Sequence, residues 1–492
     1  MRSWYALALL TAVVMGTAGG WWAEAAPWPV PTSGTTWYRI SLLGRPSGYM
    51  SSSARLVRGE QGEELLETAD RQVITIALGG ETLRVTEDVV TRYTATLAPV
   101  RWDVRLDKMG QLQEVTAERK GDNLHIVSVE GGQRTEQTVA LPEGFASELA
   151  VLAEVIRGTL KPGETRTVST FLPQVGAVDT EEITAGEPET LQVLGEGQRC
   201  FPLRVVTKRV GSEIRLWVNE QGEVVKYALP TLMNALVEKV SQQEALAQLS
   251  PLVLTNSIPL DRKLAGMALQ RLTLDAKGVG QTAADLIPVT ARQEVTPGPE
   301  GTARVVIHAQ NEPAHTAALP VKAEGREEYL RATPMAQSEA PEVRDLARQI
   351  VGEKTDAWEA ALALNNWVYQ NLGKMASEPR PINCLQILAQ RKGDCSEHAL
   401  LMATLARAVG LPSRLVAGLA VIEDKLYYHA WVEVYVGEWV EMDPTWGEAR
   451  VDAGHLLLAR SAMDDLSFAR MSLETGRTLG TLAVSVVEAV GG

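Results

Sequence analysis

From about residue 70 to residue 230, apolar and polar positions alternate with a period of two, punctuated by glycine turns. Residues 73–78 and 81–85 flank Gly79-Gly80. Residues 101–106 alternate around Trp102 and are followed across Met109-Gly110 by 112–118. Residues 124–129 and 135–141 flank Gly131-Gly132, and 214–218 and 224–229 flank Asn219-Glu220-Gln221-Gly222. Alternation gives each strand one wet and one buried face, so the pattern predicts hairpins in an antiparallel, strongly curved sheet. One helix is expected inside this region, over 146–160, stopped by Pro162-Gly163, and a second over 238–249. A β-rich N-terminal domain with helices is therefore expected over 27–250. Residues 255–335 are loop-rich around Gly298-Pro299-Glu300-Gly301, with one strand at 304–309, and read as a connector or small β module.

After residue 336 the apolar spacing changes to that of helices. Residues 342–350 form a helix ended at Gly352. Asp356 and Glu359 make an N-capping pattern, after which Trp358, Leu362, Asn365, Val368 and Leu372 share one face. Asp394 and Glu397 repeat the capping pattern and put Cys395 at the first helical position. Ala399, Met402, Ala406 and Val409 continue that helix until Gly410 and Pro412 end it. Three strands follow at 414–421, 426–435 and 439–442. The fold class is α+β, with a domain of helices followed by strands over 336–470 and a terminal strand or tail over 471–492.

The first residues read as an export signal over 1–25. Arg2 supplies a minimal positive region, residues 4–18 are apolar, and Ala23-Glu24-Ala25 offers a small-x-small cleavage site. An uncleaved anchor is the competing reading, against which stand the Gly19-Gly20 break and the short apolar run. No later segment approaches the length of a membrane span, so a periplasmic or extracellular protein with no stable span after cleavage is expected. A net charge of −14 argues against nucleic acid or an anionic lipid surface as partner. Three cysteines, Cys200, Cys384 and Cys395, are an odd number for an exported chain, and an odd thiol is worth flagging as reactive. Cys200 and Cys384 could pair, or both could be buried thiols.

The chemistry concentrates in residues 393–445. They read Gly393-Asp394-Cys395-Ser396-Glu397-His398-Ala399, then Tyr428-His429-Ala430-Trp431-Val432-Glu433, then Trp439-Val440-Glu441-Met442-Asp443-Pro444-Thr445. A thiol nucleophile needs a base beside it and a third group to orient that base. A helix start favours the thiolate through its exposed N–H groups and dipole, and the backbone N–H of Cys395 can donate to an oxyanion. Strand parity then makes a demand. A two-residue loop pairing Val436 with Trp439 would turn Asp443 to the face away from His429. An odd loop, Val436-Gly437-Glu438, pairs Tyr435 with Trp439 and puts Asp443 opposite Trp431, diagonal to His429 and within reach of it. The triad therefore predicts an odd connection.

These three segments, with the Leu405-Ala406-Arg407-Ala408-Val409-Gly410-Leu411-Pro412-Ser413-Arg414 stretch, resemble the nucleophile helix and the histidine and aspartate strands of the bacterial transglutaminase-like superfamily. The resemblance covers about residues 340–450. It implies a papain-like core and cysteine acyl transfer, with Cys395 as nucleophile, His429 as base and acid, and Asp443 as orienter. The family spans cross-linkers, peptidases, deamidases and inactive members, so it implies a peptide or protein substrate without choosing between hydrolase and acyltransferase. No cofactor and no metal are expected, and the oligomeric state is left open. Gln390 and Trp367 are candidates for a second oxyanion donor.

Against each residue stands a plainer role. Cys395 could be a buried structural thiol, His429 a packed strand histidine, and Asp443 a turn residue before proline. His398, three residues after Cys395, is read as a packing or hydrogen-bonding histidine rather than a rival base. Trp431, Trp439 and Trp446 divide between groove and core. His125, His308, His315 and His455 carry no constellation in the sequence. The expected function is an exported cysteine peptidase, amidase or transglutaminase working through a thioester. The alternative is an inactive transglutaminase-like scaffold of the cell envelope.

Overall fold

The computed structural model describes residues 34–491, apart from 79–80, 109–110, 131, 174, 231, 248, 250–251, 265–267, 323 and 376–382. The expected export signal and the tips of three predicted hairpin turns lie outside the described residues. The chain divides into two compact units near residues 254 and 255.

The first unit is one antiparallel meander, with strands pairing mostly in chain order. The alternation read from the sequence becomes the long hairpin Glu64–Leu78 and Glu81–Tyr93, with Leu78 opposite Glu81. It continues through Pro99–Lys108, Gln111–Lys120, Asn123–Glu130 and Gln133–Ala140. Val89, Trp102, Val104, Val115, Ala117, Leu124, Ile126 and Phe171 fill one core on the dry face of these strands. The helix Glu148–Ile156 starts where Ser147 accepts the Ala150 N–H, and it buries Leu149, Val151, Leu152 and Val155. The helix expected over 238–249 does not form as one helix among the described residues. Residues Ala235–Val240 form a strand between Thr35–Leu42 and Val224–Leu229, and only Gln242–Ala245 turn helical. The alternation of buried Ala235 and Val237 with half-exposed neighbours is a strand signal, and sheet pairing overrode helix propensity there.

The second unit holds two sheets and most of the helices. Leu269–Gly278, Gln293–Pro297 and Thr302–His308, from the segment read as a connector, take Leu482–Gly491 as a fourth strand. Leu482–Gly491 covers the edge of Leu269–Gly278 that a three-stranded sheet would leave open. The other sheet runs Ser257–Pro259, Lys425–Tyr435, Ser413–Ile422, His455–Ser461, with Trp439–Met442 beside the end of Lys425–Tyr435. The helix Cys395–Ala408 is buried along nearly its whole length. It packs against this sheet and against Pro341–Val351, Ala357–Asn371 and Cys384–Gln390. A helix apolar on every side belongs in the middle of a unit. The architecture is α+β with large antiparallel sheets.

Candidate active site

The nucleophile candidate sits where local sequence chemistry predicts it. Asp394 is extended and its Oδ1 accepts the Ser396 N–H at 3.0 Å, while Glu397 reaches back to the Asp394 N–H at 2.6 Å. This reciprocal cap makes Cys395 the first helical residue. Gly393 is required by it, since a Cβ there would lie 2.2 Å from Cβ of Glu397. Cys395 is only 3% exposed. All three cysteines are free and buried. His398 is fully enclosed, and its Nδ1 meets the Asp394 carbonyl at 2.7 Å. Burial, outweighing that bond, lowers its pKa, so it is a neutral ring tying down the first turn.

The hairpin has the odd connection. Tyr435 pairs with Trp439, Val434 with Val440, Glu433 with Glu441 and Val432 with Met442, which brings Asp443 level with Trp431. The three-residue loop closes through the Val436 N–H on the Glu438 carbonyl at 2.9 Å. Gly437 adopts φ +126, and a Cβ there would lie 2.7 Å from the His315 carbonyl oxygen. Only glycine suits that combination of backbone angle and close approach.

The parity has the expected consequence. His429 Nε2 meets Asp443 Oδ2 at 2.7 Å, both groups fully buried. Asp443 Oδ1 accepts the Thr445 N–H at 2.7 Å, which orients the carboxylate. Cys395 is close enough to the same imidazole to favour its charged form. Burial opposes charge on His429, but the Asp443 carboxylate and then Cys395 outweigh it and push its pKa up to about 10. Burial likewise opposes charge on Asp443, and His429 together with His455 outweighs it, holding the carboxyl far below the usual range. Cys395 from a helix start, His429 from the middle of a strand and Asp443 from just past the next strand are thus brought together.

The tryptophans separate. Trp446 lies parallel to the His429 ring, 4.5 Å between centroids and 11° between planes. Trp431 is fully buried in a cluster with Val416, Val451 and Leu457, and its Nε1 donates to Glu441 at 2.9 Å. Trp439 is stacked under the Arg414 guanidinium at 4.0 Å and edge-on to Tyr329. Of the oxyanion candidates, Trp367 carries the Arg391 guanidinium over its ring at 5.1 Å, and Gln390 closes the helix Cys384–Gln390.

Two residues escaped the sequence reading. Arg292 donates from Nε and Nη2 to both oxygens of Glu441, at 3.0 and 2.7 Å, so a residue 149 positions away braces the strand before Asp443. His455, without a visible partner in the sequence, is 1% exposed, and its Nε2 stands 3.4 Å from Asp443 Oδ2. The one available signal was Asp452, three residues before it, which approaches its Nδ1 at 3.2 Å.

His429, Asp443 and His455 can each offer one ligand atom within 4.8 Å, as can Glu448, Asp452 and His455. Two ligands of a tetrahedral zinc sit roughly 3.4 Å apart. The 2.7 Å between His429 and Asp443 is shorter, and is the length of a charge-assisted hydrogen bond. The group reads as a proton-sharing chain.

Residues 344–444 match the family model described as the transglutaminase-like superfamily. Three solved structures are similar to parts of the chain. One is a candidate cysteine protease from Cytophaga hutchinsonii, at 17% identity and TM-score 0.30, covering 46% of this chain and 86% of that one. Another is a β-barrel-like protein of a domain of unknown function from Brucella abortus, at 10% and 0.33, covering 42% and 98%. A candidate protease from Parabacteroides distasonis gives 12% and 0.19, covering 79% and 65%. No curated protein sequence matches. The second unit carries a transglutaminase-like core over residues 344–444.

Proposed function

We propose that the protein is an exported cysteine-dependent acyl-transfer enzyme acting on peptide or protein amide bonds. The observation that carries this reading is the fully buried 2.7 Å contact between His429 Nε2 and Asp443 Oδ2, with Cys395 close enough to the same imidazole to favour its charged form. A histidine pushed up to about 10 holds its proton at neutral pH, which suits a thiolate–imidazolium resting pair.

In this reaction the Cys395 sulfur attacks the amide carbonyl carbon, and the carbonyl oxygen takes up the negative charge. The Cys395 backbone N–H, with no intrahelical acceptor at the first helical position, faces that oxygen. As the C–N bond breaks, His429 gives its proton to the departing amine and a thioester remains. Water or a second amine then adds to the thioester, His429 takes up the incoming proton, and the thiolate leaves. The products are an acid in hydrolysis or a new amide in transfer. Asp443 stays ionised throughout and keeps the ring in the productive tautomer. Trp446, parallel to the imidazole, shields one face of it from water. Hydrolysis needs no dedicated acceptor site, so peptidase or amidase action is favoured over cross-linking.

Iodoacetamide labelling tests the reading directly. Cys395 is expected to react faster at neutral pH than Cys200 and Cys384. Burial pushes the thiol pKa of Cys200 up, and that of Cys384 up to about 12. Labelling of Cys395 at the rate of an unactivated thiol sinks the catalytic reading and leaves the scaffold role. Export is tested by the N-terminal residue of the mature protein, expected shortly after Ala25.

A further inference from the structure

His455 begins the strand His455–Ser461, and Ser413–Ile422 lies between it and the strand of His429. It nevertheless reaches the same oxygen, Asp443 Oδ2, that His429 holds, with ring centroids 5.9 Å apart. Behind it, Asp452 Oδ1 faces Nδ1 at 3.2 Å. Asp452 is itself held in place, its Oδ1 by the Gly454 N–H at 2.8 Å and its Oδ2 by the Leu269 N–H at 3.1 Å. The chain therefore runs Cys395, His429, Asp443, His455, Asp452.

We propose that His455 is a fourth, positioning member of this site, an imidazolium bridging Asp443 and Asp452 that limits how strongly Asp443 holds the proton of His429. This inference rests on the proposed role of His429. The argument is one of hydrogen-bond valence. Ionised carboxylates only accept, so a ring with a carboxylate oxygen at each nitrogen satisfies both only by carrying two N–H groups. The charged groups around it agree. Asp443 and Asp452 face the ring nitrogens, and Glu448 Oε2 stands 3.9 Å from Nδ1. Across the sheet is His429. Besides His429, the cation in contact with His455 is Arg292, whose Nη2 donates to the His455 backbone carbonyl at 3.3 Å while its charge is matched by Glu441. Carboxylates outnumber cations, and burial, which opposes the charge, is overcome by Asp443 and Asp452. Trp431 and Trp446 both pack edge-on against the ring, at 5.2 and 5.3 Å, closing it from solvent.

A positive charge on the far side of Asp443 weakens the field that this carboxylate exerts on His429. Removing it should let His429 keep its proton to higher pH. The test is the pH profile of Cys395 alkylation by iodoacetate in the full chain, comparing wild type with His455→Gln. Alkylation by this anion falls as His429 loses its proton. We expect that alkaline limb to move up by about one pH unit in the variant. A role limited to packing would lower the melting temperature and leave the limb in place. A folded H455Q protein with an unmoved or lowered limb overturns the proposal.

Should H455Q not fold, wild-type protein labelled with 15N at histidine decides. His429 is picked out by its response to carboxamidomethylation of Cys395. Of the two other buried histidines, His398 and His455, one is expected to show two protonated ring nitrogens at pH 7. Two singly protonated rings overturn the proposal whatever His429 does, whereas an inert Cys395 would sink the catalytic reading instead.

Discussion

Particular buried carboxylates in the two units are held in opposite ways. In the first, Asp70, 4% exposed, is pushed up to about 7 by burial, against a hydrogen bond from Ser52. Glu148, also raised to about 7 by burial, faces Glu181, itself fully enclosed and raised by burial and then by Glu148. These acids favour the neutral form to well above the usual carboxylate range, because no cation among the described residues offsets their burial. In the second unit, Asp443 and Glu441 are equally enclosed but held low, because His429 and Arg292 overcome burial. The same side chain is a protonated packing element in one sheet and a fixed anion in the other. A neighbouring cation makes the difference, and only the fixed anion can orient a catalytic base.

The sharpest break of this contrast is at the anion itself. Asp443→Asn should keep the fold and lower acylation of Cys395 by a p-nitrophenyl ester roughly 10³- to 10⁴-fold, since an amide can present the wrong partner to His429. Cys395→Ala should abolish acylation. Retained acylation in either variant moves the chemistry elsewhere.

Next in size is the Arg292–Glu441 pair. Arg292→Met leaves Glu441 buried and uncompensated, and should destabilise the second unit by about 3–5 kcal/mol in urea unfolding. R292M/E441L should recover most of that loss.

The acids of the first unit should behave in reverse. Asp70→Asn should stabilise that unit at pH 8 by about 1–3 kcal/mol and change little at pH 4, read by hydrogen exchange of peptides from 35–250. The sign follows from a folded pKa raised to about 7. The unfolded carboxyl ionises near pH 4, so stability is lost as pH rises from about 4 to about 7 and is flat beyond. In the second unit, His429, raised to about 10, contributes fully below about pH 6.5, and that contribution is lost as pH climbs toward 10. Asp443, held low, contributes above about pH 4 and loses its contribution only in acid. Exchange protection of the two units should therefore diverge between pH 5 and pH 7, and parallel curves would remove the contrast. The smallest effect belongs to the surface. Arg199→Ala, which breaks an exposed 3.2 Å contact with Glu220, should change the melting behaviour of the first unit by less than about 1 kcal/mol.

Much of the candidate site was legible in the sequence because its rules are local. The Asp394–Glu397 box sets where the helix begins, so Cys395 falls at its first position whatever packs around it. Strand parity, together with a glycine that tolerates φ +126, decides which face Asp443 occupies, so the odd loop could be demanded before any coordinates. The alternation of residues 73–141 likewise becomes a meander, since two residues per repeat admits no other dry face.

Tertiary structure alone decided which distant groups share a charge. Nothing near Glu441 in the chain announces Arg292, and nothing near Asp443 announces that His455 meets it across an intervening strand. The fate of Asp70 depended in the same way on what the folded sheet put beside it. Periodicity and capping act over a turn or a strand, whereas the charge of a buried group answers to whatever lies within a few ångströms in space.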